Sequence, residues 1–293
     1  MEWTEQLNRR VYRVALAGGG AVEVLHWAYS PDLPDNVWHR HAYFEACLVG
    51  DSGAGAFLVG DDRHALLPGT LFLARPGALH RIENVQAPGM ELFWVSFALE
   101  KLGEGVVRRF AESEVVWQAS APAVTSLWQG LRTVASDPNA EPETVHLTAA
   151  LLTAIARACG GAEESLPQES DTAQQALAYI HEHLAQRELS VASVAHALAI
   201  SPRHLTRRIT ERVGVGPAAY IERARLDRAR TLLLRTDEPL KQLALLVGYP
   251  DVHHFTRAFS RVFGCPPGRF RATQGAASQR ELVANRQNEG TLV

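Results

Sequence analysis

The chain has little of what an oxidising compartment or a bilayer would demand. Of its 293 residues three are cysteine, Cys47, Cys159 and Cys265. They are isolated and odd in number, which excludes a disulfide framework and a thiolate metal site and fits a reducing cytoplasm. No apolar run is long enough to cross a bilayer, so no membrane partner is expected. The N-terminus, Met1-Glu-Trp-Thr-Glu-Gln, is polar and acidic and lacks the pattern of an export signal.

What is present describes a globular protein of two domains: 46% hydrophobic and 21% charged residues. Positive charge is scarce in one half only. Residues 1–170 carry 12 Lys and Arg against 21 Asp and Glu; residues 171–293 carry 17 against 11. An acidic half joined to a basic half suggests that one half meets a polyanion.

The first hundred residues read as short strands, Val22–Trp27, Tyr43–Val49, Ala56–Val59, Leu71–Ala74 and Leu92–Phe97. Gly and Pro punctuate them, as at Pro68-Gly69, Pro76-Gly77 and Pro88-Gly89. Many short strands with regular turns predict a sandwich or barrel. From Ala123 the period becomes helical, with one stripe at Leu127, Leu131 and Val134. A second runs through Val145, Thr148, Leu152 and Ile155, with Leu147 and Leu151 beside it. This helical pair covers the barrel or forms a dimer seam, with Leu151 and Leu152 as seam positions. The expected fold class is therefore α+β, divided as 1–160 strand-rich domain with the helical pair, 161–172 polar linker, 173–274 helical domain and 275–293 polar tail.

Within 173–274 one device is used twice. Ser201-Pro-Arg-His-Leu-Thr-Arg-Arg-Ile209 matches Asp251-Val-His-His-Phe-Thr-Arg-Ala-Phe259. Each has a capping residue, an apolar inner edge and an outer edge of Arg, His and Thr. Between them Pro217–Arg235 forms one helix of about 28 Å at 1.5 Å per residue. Two helix-turn-helix units on such a spacer can meet successive major-groove faces, about 34 Å apart. Double-stranded DNA is thus the expected partner. Arg207 and Arg257 can each donate a fork to guanine or phosphate. Arg208, Arg212, Arg261, Arg269 and Arg271 are phosphate-holding candidates.

This half closely resembles the AraC/XylS family of bacterial transcription regulators. The match runs through Leu189–Ala195, Ser201–Arg207, Gly214–Ile221, Arg225–Arg230, Ala244–Tyr249, His254–Phe259 and Gly264–Arg271. The resemblance implies base-reading roles for Arg203, Thr206 and Arg207 in the first unit. In the second it implies them for Val252, His253, Thr256 and Arg257. It also implies transcription activation, a homodimer, a small-molecule effector and contact with RNA polymerase. Two departures stand out: Ile209 replaces an aromatic, and the apolar Leu243-Ala244-Leu245-Leu246 predicts an unusually buried helix.

In the acidic half, Trp38-His39-Arg-His41-Ala-Tyr-Phe-Glu45 places residues 39, 41 and 45 on one face of an extended strand. His80 follows a Pro-Gly turn at the start of another strand. Three imidazoles and a carboxylate suit Zn, Ni, Fe, Mn or Cu. The pattern resembles the cupin motifs His-x-His-x3-Glu and Pro-Gly-x2-His, with Asn84 four residues after His80, but Pro76-Gly77 lacks the intervening residue. The resemblance implies a jelly-roll-like barrel with His39, His41, Glu45 and His80 as metal or effector ligands. Trp27, Trp38, Phe44, Phe72, Trp94 and Phe97 are aromatic platforms suited to sugar faces or to a core; Trp38 and Trp94 join the effector set. A carbohydrate is the expected effector. A metal-dependent enzyme with a DNA-binding appendage and a metal-ion sensor are the alternatives.

Overall fold

The computed structural model describes residues 3–10, 13–85, 89–101, 110, 121–137, 139–159 and 172–274. Linker positions 161–171 and the tail from 275 lie outside them. Helix α1 (Trp3–Arg10) precedes eight strands: β1 (Arg13–Leu16), β2 (Gly20–Leu33), β3 (Phe44–Val49), β4 (Gly55–Val59), β5 (Asp62–Leu66), β6 (Leu71–Ala74), β7 (His80–Asn84) and β8 (Met90–Lys101). They form two antiparallel sheets, in the orders β1-β2-β8-β3-β6 and β5-β4-β7.

Strand β3 shows why the sheets stack. Every residue in it is buried, so both of its faces must be covered. Phe44, Ala46 and Leu48 join a core with α1, α2 (Pro122–Ala135) and α3 (Glu141–Cys159). Cys47 and Val49 join Phe57, Leu66 and Ile82 of the opposing sheet. Period-two alternation therefore puts Glu45 between the two sheets. Leu151 and Leu152 are fully buried within this chain. They cannot form a seam with a second copy, which corrects the expectation for those two positions. Trp27, Phe44, Phe72 and Phe97 are core residues.

Helices α4 (Thr172–Glu182), α5 (Val191–Ala197), α6 (Pro202–Val213), α7 (Pro217–Arg235), α8 (Leu240–Leu246), α9 (Val252–Phe263) and α10 (Pro267–Gln274) follow. They build two cores, one around Leu205 and Ile209, the other around Phe255 and Phe259. Helix α8 is not unusually buried. Leu243 and Ala244 are inside, but Leu245 and Leu246 are 48% and 43% exposed, because four consecutive helical residues cannot share one face.

Candidate functional site

The two helix-turn-helix units are built alike. Ser201 caps α6 by accepting from His204 N at 3.2 Å, and Asp251 caps α9 by accepting from His253 N and His254 N at 2.8 and 2.9 Å. The Asp251 carboxyl is held down at about 2, chiefly by the backbone N–H and ring of His254. Both helices end at a left-handed glycine, Gly214 (φ 71°) and Gly264 (φ 72°). The preceding turns also correspond, with left-handed backbone at Ala199 (φ 54°) and at Gly248 (φ 82°).

The outer faces carry the expected side chains. Arg203, Thr206 and Arg207 are exposed along α6. His253 and Arg257 are exposed on α9, with Val252 and Thr256 partly so. Arg207 also pairs with Glu211 at 3.0 Å, one helical turn away. Three of the phosphate candidates are engaged within the fold. Arg208 reaches Glu211 at 3.5 Å. Arg261 pairs with Glu222 at 2.7 Å, and Arg271 donates to Glu238 O at 2.7 Å.

Between the sheets, the potential ligand atoms of His39, His41, Glu45 and His80 all lie within 4.8 Å of one another, and all four residues are buried. They do not share one strand. His39 forms an isolated antiparallel bridge with His80, bends follow at 42 and 43, and β3 begins only at Phe44. Pro76-Gly77 makes a tight turn with Gly77 at φ 80°; Ala78 N donates to Arg75 O at 3.2 Å and Gly77 N to His41 O at 2.7 Å.

Each histidine is oriented the same way. The Nδ1–H of His39, His41 and His80 donates to the carbonyl of Val37, Tyr43 and Ala78, at 2.9, 2.8 and 2.8 Å. That fixes the tautomer and leaves the lone pair on Nε2. Among the described residues His41 Nε2 is buried without a hydrogen-bond partner, 3.8 Å from Glu45 Oε2. Ser96 donates to Glu45 Oε1 at 3.3 Å. Three outer-nitrogen lone pairs and a carboxylate form a donor set suited to a divalent transition metal. Asn84 lies apart, donating to Leu33 O and accepting from Met90 N.

Beside this cluster is a cavity lined by Tyr43, Glu45, Trp94, Ser96, His26 and, from α7, Arg230. Trp94 thus faces the cavity, while Trp38 does not line it. Trp38 is 36% exposed with the Arg81 guanidinium 5.4 Å from its ring centre.

A family model described as an AraC-like ligand binding domain matches residues 28–200, and a helix-turn-helix domain model matches 194–273. The chain belongs to the AraC-type family. Among relatives of this AraC-type regulator, the uncharacterized HTH-type transcriptional regulator YfiF of Bacillus subtilis (strain 168) is 29% identical over 268 residues, 85% of this chain and 83% of that one. The HTH-type transcriptional activator RhaS of Pectobacterium carotovorum is 25% identical over 262 residues, 83% and 91% of the two chains. The arabinose operon regulatory protein of Escherichia coli K12 is 33% identical over 110 residues, 37% and 38%. These relatives are transcriptional regulators and not enzymes. Apo ToxT of Vibrio cholerae shares the fold, with a TM-score of 0.55 at 10% identity over 88% of this chain and 98% of that one. The AraC-type regulator therefore combines ligand-binding and DNA-binding halves, and the metal-dependent enzyme reading has no support among its relatives. No described helix is long and apolar enough to cross a membrane.

Sequence reasoning missed the joint between the halves. Glu23 pairs with Arg228 at 3.2 Å, Arg235 donates to Asn8 Oδ1 at 3.3 Å, and Arg230 donates to Tyr43 Oη at 3.1 Å. Burial raises Glu23 and lowers Arg235 to about 10, so Arg235 stays charged at neutral pH. The only sequence signal was a run of arginines on a helix between two readers, which is indistinguishable from a solvated face.

Proposed function

We propose that this AraC-type regulator is a homodimeric activator that senses a small polar metabolite, a carbohydrate, in the cavity beside a divalent metal held by His39, His41, Glu45 and His80. One observation carries the metal: four buried donors converge, with each imidazole turned by its Nδ1–H hydrogen bond so that the lone pair is on Nε2. Bound metal would offset the cost of burying that carboxylate and supply a positive centre for hydroxyl or carboxylate oxygens. The carbohydrate reading rests on Trp94 lining the cavity together with Tyr43, Glu45 and Ser96. On the DNA side, Arg203, Thr206 and Arg207 of α6 and Val252, His253, Thr256 and Arg257 of α9 enter successive major grooves. Bound regulator then engages RNA polymerase.

Plasma mass spectrometry of untagged protein, beside a His39→Ala/His80→Ala variant, tests the site. Near-stoichiometric metal in the wild type, lost in the variant, is the expected result. A folded wild type that takes up none after reconstitution refutes it. A thermal-shift panel of sugars with metal-loaded protein then tests the effector class; no response from any sugar argues against carbohydrate. A second reading, the ion itself as signal, is favoured by one feature: of the four ligands only Glu45 also lines the cavity. It predicts that DNA affinity changes with metal alone.

A further inference from the structure

The short segment between the metal ligands is gripped by the DNA-reading half. Arg40 Nη1 donates to Val213 O at 3.3 Å, at the C-terminal end of α6. The backbone N–H of Ala42 donates to Asp227 Oδ2 of α7 at 3.4 Å, and its carbonyl lies 3.4 Å from Tyr220 Oη. Ala42 is itself a member of the helical core that contains Val213, Tyr220 and Ala224. Tyr43 stacks on the His41 ring, centres 4.0 Å apart and planes within 2°, while its hydroxyl accepts from Arg230. The second ligand-bearing turn meets the same place. A Cβ added at Gly77 would come within 2.2 Å of Val213 Cβ, so that turn and the end of α6 are in close contact.

Two loops that hold ligands therefore both touch the end of the first recognition helix. Moving His41 relative to Glu45 must move Ala42 and Tyr43, which lie between them. Those two residues cannot move without disturbing Asp227, Tyr220 and Arg230. Direct contacts carry such a shift: Ala42 is seated in the helical core, and Tyr43, although it lines the cavity with Arg230, is tied to Arg230 by a hydrogen bond. A ligand alters a distant site only through different affinity for two arrangements.

We propose that Arg40–Tyr43 is the transmission element of this regulator: metal occupancy of His39, His41, Glu45 and His80 sets the tightness with which α6 and α7 dock, and Tyr43 and Tyr220 are positioning residues for that docking. The inference rests on the metal reading above. The test uses the full chain, stripped by chelator, with Zn(II) alone as probe. Zinc uptake is measured by plasma mass spectrometry and amide exchange by mass spectrometry. Expected are one zinc per chain, slower exchange in 39–45 and 75–80, and exchange slowed about fivefold or more in 209–230, the lower end of ordinary coupling. In Tyr43→Phe/Tyr220→Phe, uptake and protection near the ligands persist while the slowing in 209–230 is lost. Zinc bound with no change in 209–230 overturns the coupling and leaves the metal site standing. Undiminished remote slowing in the double variant overturns the assigned route. No zinc uptake by folded protein overturns both the site and the coupling.

Discussion

At the scale of single residues, the two readers are alike in design but unequal in detail. Arg207 is held by Glu211 in an exposed pair, and breaking such a pair costs only about 0–1 kcal/mol. Arg207→Ala or Arg257→Ala is expected to weaken specific operator binding by about 1–3 kcal/mol if each forks a base. An unchanged gel-shift titration would remove that residue from the reader. The turn before α6 uses Ala199 where the turn before α9 uses Gly248, both left-handed. A Cβ in that conformation costs about 1–2 kcal/mol. Ala199→Gly is therefore expected to raise stability by about 1 kcal/mol, since glycine's greater unfolded-chain entropy offsets part of the relief. A urea midpoint that does not rise would show that the Ala199 methyl contributes packing worth as much as the strain.

At the scale of elements, whatever depends on local chemistry was legible. Caps at Ser201 and Asp251, stop signals at Gly214 and Gly264, and the five expected strands all appear, because turn residues and periodicity act within a few residues. Helix α1 and edge strand β5 were not legible. Only Trp3, Thr4 and Leu7 of α1 are buried, and β5 is mostly charged or exposed, so neither carries enough apolar pattern. The convergence of His39, His41, Glu45 and His80 was expected through a strand that does not exist; a bridge and a bend achieve it instead. The helical pair gives a prediction at this scale. Leu151→Asp buries a charge in the core around α2 and α3, so it is expected to abolish folding. A folded monomer in sedimentation and circular dichroism would return Leu151 to a subunit seam.

At the scale of the whole molecule, the joint between halves was invisible in the sequence because its partners are up to 227 positions apart. It also contains a titratable group. His181 lies 2.8 Å from Tyr220 Oη, and burial, assisted by the Arg228 charge and opposed by Asp227, lowers it to about 4 from an ordinary value of 6.5. The fold thus keeps His181 neutral while the unfolded chain takes up a proton. Stability from this group is intact above pH 6.5 and is lost as pH falls from there toward about 4. Melting temperature is expected to drop more steeply between pH 7 and 5 in the wild type than in His181→Gln. Parallel curves would place the acid sensitivity elsewhere.

Ala42 belongs by chain position to the sheet half and by packing to the helical half. The helical half on its own is consequently missing a plug: Val213, Tyr220 and Ala224 would lose a neighbour that no residue of 172–274 supplies. A chain nicked in the stretch between Cys159 and Thr172 should then behave as two complementing fragments. They would copurify and melt as one cooperative unit, the helical piece folding less well alone than with its partner.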